Sequence, residues 1–149
     1  MTEQAPVTIV MIEDDEGHAR LIERNIRRSG INNDIVPFSS GTPALEYFLG
    51  GNGAGKSGLE KGRGYLVLLD LNLPDMSGVE ILKRLKESKT TERIPVVVLT
   101  TTDDKTEIQR CYDLGCNVYV TKPVNYENFA DAIRQLGLFF TVVKVPEVG

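Results

Sequence analysis

The stretch from Tyr65 to Gly78, YLVLLDLNLPDMSG, decides the fold. Five residues, mostly aliphatic, run without a charged or strongly polar break into Asp70. A strand with one wet face would alternate, so this run reads as a strand covered on both sides. The following turn is punctuated by Pro74 and Gly78, and beyond it Val79, Ile81, Leu82 and Leu85 recur at helical spacing. The unit is strand, acid, turn, helix.

The same unit repeats outward in both directions. Residues 7–12, VTIVMI, form a second continuous apolar run and end in Glu13, Asp14 and Asp15. A helix then starts near Glu16, with Ala19, Ile22 and Ile26 on one side and Gly30 placed to stop it. Residues 34–38, DIVPF, read as a weaker strand whose Pro37 suits a sheet edge. A helix covers about 42–49, with Pro43 in its first turn and Ala44, Leu45 and Phe48 inward. Gly50 to Gly64 is glycine-rich and polar, and reads as a surface loop.

Downstream, Pro95 opens the strand VVVLT, which ends at Thr100. Asp103 or Asp104 caps the next helix, which runs to about Leu114 with Gly115 as its stop. Residues 117–121, NVYVT, make a last strand, and a final helix runs from about Asn125 to Gly137. Five alternations with connections too long for hairpins predict an α/β fold: a doubly wound, five-stranded parallel sheet with helices on both faces. In such sheets ligands collect at the carboxyl ends of the strands, beside the switch in strand order.

Composition narrows the functional classes. A chain of 149 residues, 41% hydrophobic and 26% charged, fits one globular domain. No run of about 18 apolar residues is present, so no membrane helix is expected. The N-terminal MTEQAPVTIV lacks a basic leader, which predicts a cytoplasmic protein without a signal peptide. Cys111 and Cys116 are spaced for no zinc pattern, and His18 is the only histidine. Both cysteines read as small core or helix-end residues in a reducing compartment. The net charge of −4 and the lack of a basic block disfavour nucleic acid as a partner.

The strand ends carry the chemistry. Read in order they supply Glu13 and Asp14, then Asp70, then Thr100, then Lys122 followed by Pro123. Three carboxylates gathered within a few ångströms repel unless a positive charge sits among them. Hard oxygen ligands with room for water favour Mg²⁺ over Zn²⁺. Such an ion, with the Lys122 ammonium and the Thr100 hydroxyl, would let an anionic phosphoryl group approach Asp70.

These motifs resemble the receiver domain of two-component response regulators over roughly residues 7–137, which makes residues 1–137 the expected receiver domain and 138–149 an apolar C-terminal extension. The matching features are the acidic pair after the first strand, LLDLNLPDMSG, IPVVVLTT and YVTKP. The resemblance implies a flavodoxin-like fold, Asp70 as phosphoacceptor, and Mg²⁺ held by Glu13, Asp14, Asp70 and the Asn72 carbonyl. It further implies that Thr100 and Lys122 contact the phosphoryl group, that Tyr119 rotates on activation as Thr100 is drawn inward, and that Lys122–Pro123 is a cis peptide. The pair here is Glu-Asp where many receivers have Asp-Asp, so Asp14 is assigned the metal first and Glu13 acts through water. DLNLP, RIPVVVLTT and a tail ending in Val-Pro resemble the single-domain regulators paired with bacterial phytochromes. The implied partner is a sensor histidine kinase. No effector domain follows, so output through direct DNA binding is not expected.

GGNGAGKS, residues 50–57, matches the P-loop pattern, but a helix precedes it and a strand follows, the reverse of what phosphate binding needs. His18 reads as an ordinary residue at the solvated rim. Phe129, Ile133, Leu136 and Phe140 repeat at helical spacing, and the apolar run continues through Phe139, Val142 and Val143. That much apolar surface predicts a two-fold dimer through the last helix and tail, with the tail folded back on its own domain as the alternative. A rival function, an aspartate-nucleophile phosphohydrolase of the haloacid dehalogenase type, needs an acid two residues after the nucleophile, where this chain has Asn72. A flavin or nucleotide carrier would need a phosphate loop where the three acids stand. A degenerate receiver acting as a scaffold is opposed by intact Asp70, Thr100 and Lys122.

Overall fold

The computed structural model describes residues 7–28, 30–50 and 57–122. Pro123, the expected final helix, the boundary near residue 137, and the tail with Phe129, Leu136, Phe139, Phe140 and Val143 lie outside the described residues, as does most of GGNGAGKS.

The elements alternate without exception: β1 (Val7–Ile12), α1 (Glu16–Arg28), β2 (Ile35–Phe38), α2 (Gly41–Leu49), β3 (Gly64–Leu69), α3 (Gly78–Glu87), β4 (Val96–Thr100), α4 (Lys105–Asp113) and β5 (Val118–Thr121). All pairings are parallel, in the order β2-β1-β3-β4-β5. Pro37 sits on the edge strand β2, where its missing N–H costs no ladder bond. The order reverses between β1 and β3, and that is where the acids emerge.

Period-two alternation in the central strands feeds two separate cores. Val10, Ile12, Val67, Leu69, Val96 and Val98 pack on one side with Phe48, Leu82 and Leu85 from α2 and α3 and Cys111 from α4. Ile9, Met11, Leu66, Leu68, Val97 and Leu99 pack on the other with Ile22 and Ile26 of α1. The sheet is thus covered on both faces, as the unbroken apolar runs required. Both cysteines are free and buried. No helix among the described residues is long and apolar enough to cross a membrane.

Local chemistry sets the element ends. Asp104, not Asp103, caps α4 by accepting from the Thr106 N–H at 2.9 Å. Gly115 stops the helix with φ +106, a backbone that an L side chain rarely adopts. Asp75 caps a different helix from its own: its two carboxylate oxygens accept from the Gly41 and Thr42 N–H groups of α2, at 2.8 and 2.7 Å. Those two hydrogen bonds hold the α2 N-terminus on the β3–α3 loop.

Candidate functional site

Sheet register assembles the site. Ile12 pairs with Leu69, so the next residues, Glu13 and Asp70, leave the sheet side by side, with the Asp70 N–H bonded to the Ile12 carbonyl at 3.0 Å. Thr100 pairs with Thr121, and the Lys122 N–H then bonds the Thr100 carbonyl at 2.6 Å. Four residues distant in sequence reach one end of the sheet because four parallel strands end there together.

Glu13, Asp14 and Asp70 each offer a carboxylate oxygen, and these atoms all lie within 4.8 Å of one another. Glu13 and Asp70 are buried, while Asp14 is exposed at the mouth. The Lys122 ammonium donates to Glu13 Oε1 and reaches Asp70 Oδ2 at 3.3 Å. Burial tends to raise the Asp70 carboxyl, but hydrogen bonds from the Asn72 N–H and Glu13, the Lys122 charge and the Thr100 hydroxyl outweigh it and hold its pKa below the ordinary value. Burial, together with the hydrogen bond shared with Asp70, pushes Glu13 up to about 7 against the pull of Lys122. Of the two neighbouring carboxyls, Glu13 is the one pushed up and Asp70 the one held down.

That distribution tests the donor set for a cation. Three carboxylates and one ammonium leave the cluster short of positive charge, in keeping with the upward shift of Glu13. An all-oxygen donor set open to solvent at Asp14 suits a hard divalent ion.

Around Asp70 the polar contacts are dense. Its Oδ1 accepts from the Asn72 N–H at 3.0 Å. The Asn72 amide nitrogen spans the Thr100, Thr101 and Thr102 hydroxyls at 3.3, 3.3 and 3.4 Å, tying the β3–α3 loop to the end of β4. Thr100 is wholly buried, and its hydroxyl also accepts from the Thr102 N–H at 3.5 Å. Tyr119 is half-buried and donates from its hydroxyl to the Thr102 carbonyl at 2.6 Å. Its own N–H donates to the Tyr112 hydroxyl at 3.1 Å.

Gly78 opens α3 against this loop. A Cβ there would meet the Asp70 carbonyl oxygen at 2.3 Å and Leu71 Cα at 2.7 Å, so only glycine lets α3 press on the backbone of Asp70.

Two residues gain a part that sequence reading did not give them. Asp15, the third acid, turns its carboxylate away from the cluster to cap α1: its Oδ1 accepts from the His18 N–H at 2.9 Å, while its own N–H donates to Glu13 Oε2 at 3.2 Å. His18 lies with Nδ1 3.2 Å from Lys122 Nζ and 4.0 Å from Glu13 Oε1. It is a rim residue as expected, yet it touches the site. Its contact with Lys122 spans 104 positions, and no local pattern announces it.

The fold, the acid cluster and the lysine define a class, and comparison with known proteins agrees. The profile of the response regulator receiver domain matches residues 9–134, and the chain belongs to that family, the receivers of two-component signalling. Within the family its relatives include single-domain regulators associated with phytochromes. A receiver domain from Rhodospirillum rubrum, known from its crystal structure, is 68% identical, with a TM-score of 0.83 over 95% of this chain and 98% of that one. Response regulator Rcp1 from Synechocystis is 32% identical, the match covering 91% of this chain and 89% of Rcp1. Its Mn²⁺-bound crystal structure superposes with a TM-score of 0.77 over 95% and 99% of the two chains. The phosphorylated cyanobacterial phytochrome response regulator RcpA is 32% identical, with a TM-score of 0.74 over 93% and 96%. A receiver domain is not a classical enzyme, and Asn72 stands where a phosphohydrolase of the dehalogenase type would need its acid.

Proposed function

We propose that this protein accepts a phosphoryl group on Asp70 from the phosphohistidine of a sensor histidine kinase of the bacterial phytochrome class, and signals through phosphorylation-dependent binding. The observation that carries the reading is Asp70 itself: an ionised carboxylate lying against Lys122 and Thr100, with two further acids within 4.8 Å. A nucleophile must be unprotonated, and these hydrogen bonds keep it so.

In the transfer, an Asp70 oxygen bonds to phosphorus as the P–N bond to the donor imidazole breaks, and the imidazole leaves with the electron pair and takes a proton from solvent. The Lys122 ammonium and the Thr100 hydroxyl face the charge that develops on the phosphoryl oxygens. Mg²⁺, bound by Asp14, Asp70, the Asn72 carbonyl and Glu13, through water in the last case, would supply charge neutralisation for two anions brought together. Asp70 becomes an acyl phosphate whose negative charge sits on the phosphoryl oxygens, so Lys122 and Thr100 exchange a carboxylate partner for those oxygens. The Thr102 carbonyl that anchors Tyr119 lies two residues beyond Thr100, which gives the tyrosine a route to respond. Catalysis by the chain is limited to assisting its own phosphorylation and later hydrolysis.

We place this chemistry in the cytoplasm, without nucleic acid as a direct partner. We assign dimerisation to the last helix and tail, including Phe129, Leu136, Phe139, Phe140 and Val143, and Lys122–Pro123 to a cis peptide. Incubation with acetyl phosphate and Mg²⁺ should add one phosphate by intact mass, with no addition in EDTA or in Asp70→Asn. Sedimentation before and after labelling tests the dimer, and a strict monomer at micromolar concentration in both states removes it. An Asp70→Asn protein that labels like the wild type would overturn the assignment of the acceptor.

A further inference from the structure

The Lys122 ammonium has three N–H bonds, and the structure places three acceptors around it: Glu13 Oε1, Asp70 Oδ2 at 3.3 Å and His18 Nδ1 at 3.2 Å. An ammonium can only donate, so Nδ1 must accept, which puts the imidazole proton on Nε2. The side chain of Lys122 is 10% exposed, so water cannot freely replace a missing partner.

The three acceptors differ in what phosphorylation does to them. Asp70 becomes the acyl phosphate, and Glu13 belongs to the acid cluster whose charge a cation would rebalance. His18 lies outside that cluster, on the first turn of α1, where the Asp15 carboxylate fixes its backbone N–H at 2.9 Å. Of the three acceptors it is the one that is neither modified nor a member of the acid cluster.

From this geometry we infer that His18 is a positioning residue for phosphoryl transfer, holding Lys122 over Asp70 while the carboxylate partners of the ammonium are exchanged. A lysine stem is flexible, and a cation that must act at one point benefits from a fixed third anchor. The inference rests on Asp70 as the acceptor.

The test compares wild type with His18→Leu, which removes the acceptor, and His18→Asn, whose amide oxygen can occupy the place of Nδ1. His18 is half-exposed, and urea melts confirm that each variant folds. With acetyl phosphate and Mg²⁺, His18→Leu should label Asp70 more slowly by on the order of tenfold at saturating donor, with half-saturation little changed, while His18→Asn recovers most of the rate. Without phosphodonor, the Lys122 ¹⁵Nζ signal should persist against solvent exchange in wild type and His18→Asn and vanish in His18→Leu. Wild-type rates in His18→Leu, or equal slowing in both variants, would overturn the inference and leave Asp70 standing as acceptor. A wild-type protein that never labels would instead overturn the proposed function, and the ¹⁵Nζ signal would then decide whether His18 anchors the lysine.

Discussion

Replacing Gly78 by alanine should both destabilise the protein and loosen the proposed metal site, and the size of the effect follows from the packing. The new Cβ would lie 2.3 Å from the Asp70 carbonyl oxygen, 2.7 Å from Leu71 Cα and 3.1 Å from the Asp70 carbonyl carbon, whereas ordinary contact begins at 3.4 Å. The obstruction is backbone, so no side chain can swing aside, and α3 and the β3–α3 loop must separate by roughly 1 Å. Alanine gains at most about 1 kcal/mol over glycine as a helix former, and less in a first turn. Forced overpacking costs about 1–3 kcal/mol, toward the upper end where backbone must move. The net expectation is a loss of about 1–2 kcal/mol, which for a domain of this size lowers Tm by roughly 2–8 °C. The displaced atoms belong to Asp70, so Mg²⁺ affinity should weaken as well. Urea unfolding by circular dichroism and a Mg²⁺ titration read the two effects. A Gly78→Ala protein as stable as wild type with unchanged Mg²⁺ affinity would refute the reasoning.

Three further outcomes are expected. Asp75→Asn removes the carboxylate holding α2; capping is worth about 1 kcal/mol once discounted for an exposed, screened group. The Asp75 pKa is lowered to about 2, chiefly by hydrogen bonds from Thr42 and Gly41, so its contribution is full above the unfolded value and is lost as pH falls through about 2; the wild-type advantage in urea should persist at pH 5 and disappear near pH 2. Glu13 shifts the opposite way, raised to about 7 by burial, so its stabilising effect is present below its ordinary value and fades as pH rises through about 7. In EDTA the protein should therefore lose on the order of 2 kcal/mol between pH 5 and pH 8, and Mg²⁺ should abolish most of that slope; a flat EDTA profile would contradict the charge deficit. Lys122→Met should slow labelling by acetyl phosphate at least about tenfold while leaving the fold intact, and an unchanged rate would remove the ammonium from the chemistry.

The strands were legible because their signal is local: VTIVMI, YLVLLD and VVVLT each carry burial on both faces in their own composition. Once parallel pairing was accepted, Glu13, Asp70, Thr100 and Lys122 had to come together, since each follows the last residue of a strand or ends one. Pairwise contacts made by loops and helix starts were not legible. His18 reaches Lys122 only because Asp15 starts α1 where it does, and Asp75 reaches across 33 residues to cap α2. Asn72 was read for its carbonyl, yet its amide ties together three threonines, which depends on how the loop after β4 folds back. Such contacts arise from register and loop shape together, and no periodicity records them.

The central claim is that one carboxylate in this chain is a phosphoryl acceptor. Borohydride reduction after treatment with acetyl phosphate and Mg²⁺ converts an aspartyl phosphate to homoserine, which tandem mass spectrometry can place. The account predicts homoserine at residue 70 and nowhere else; homoserine at residue 14, or none in excess donor, would contradict it.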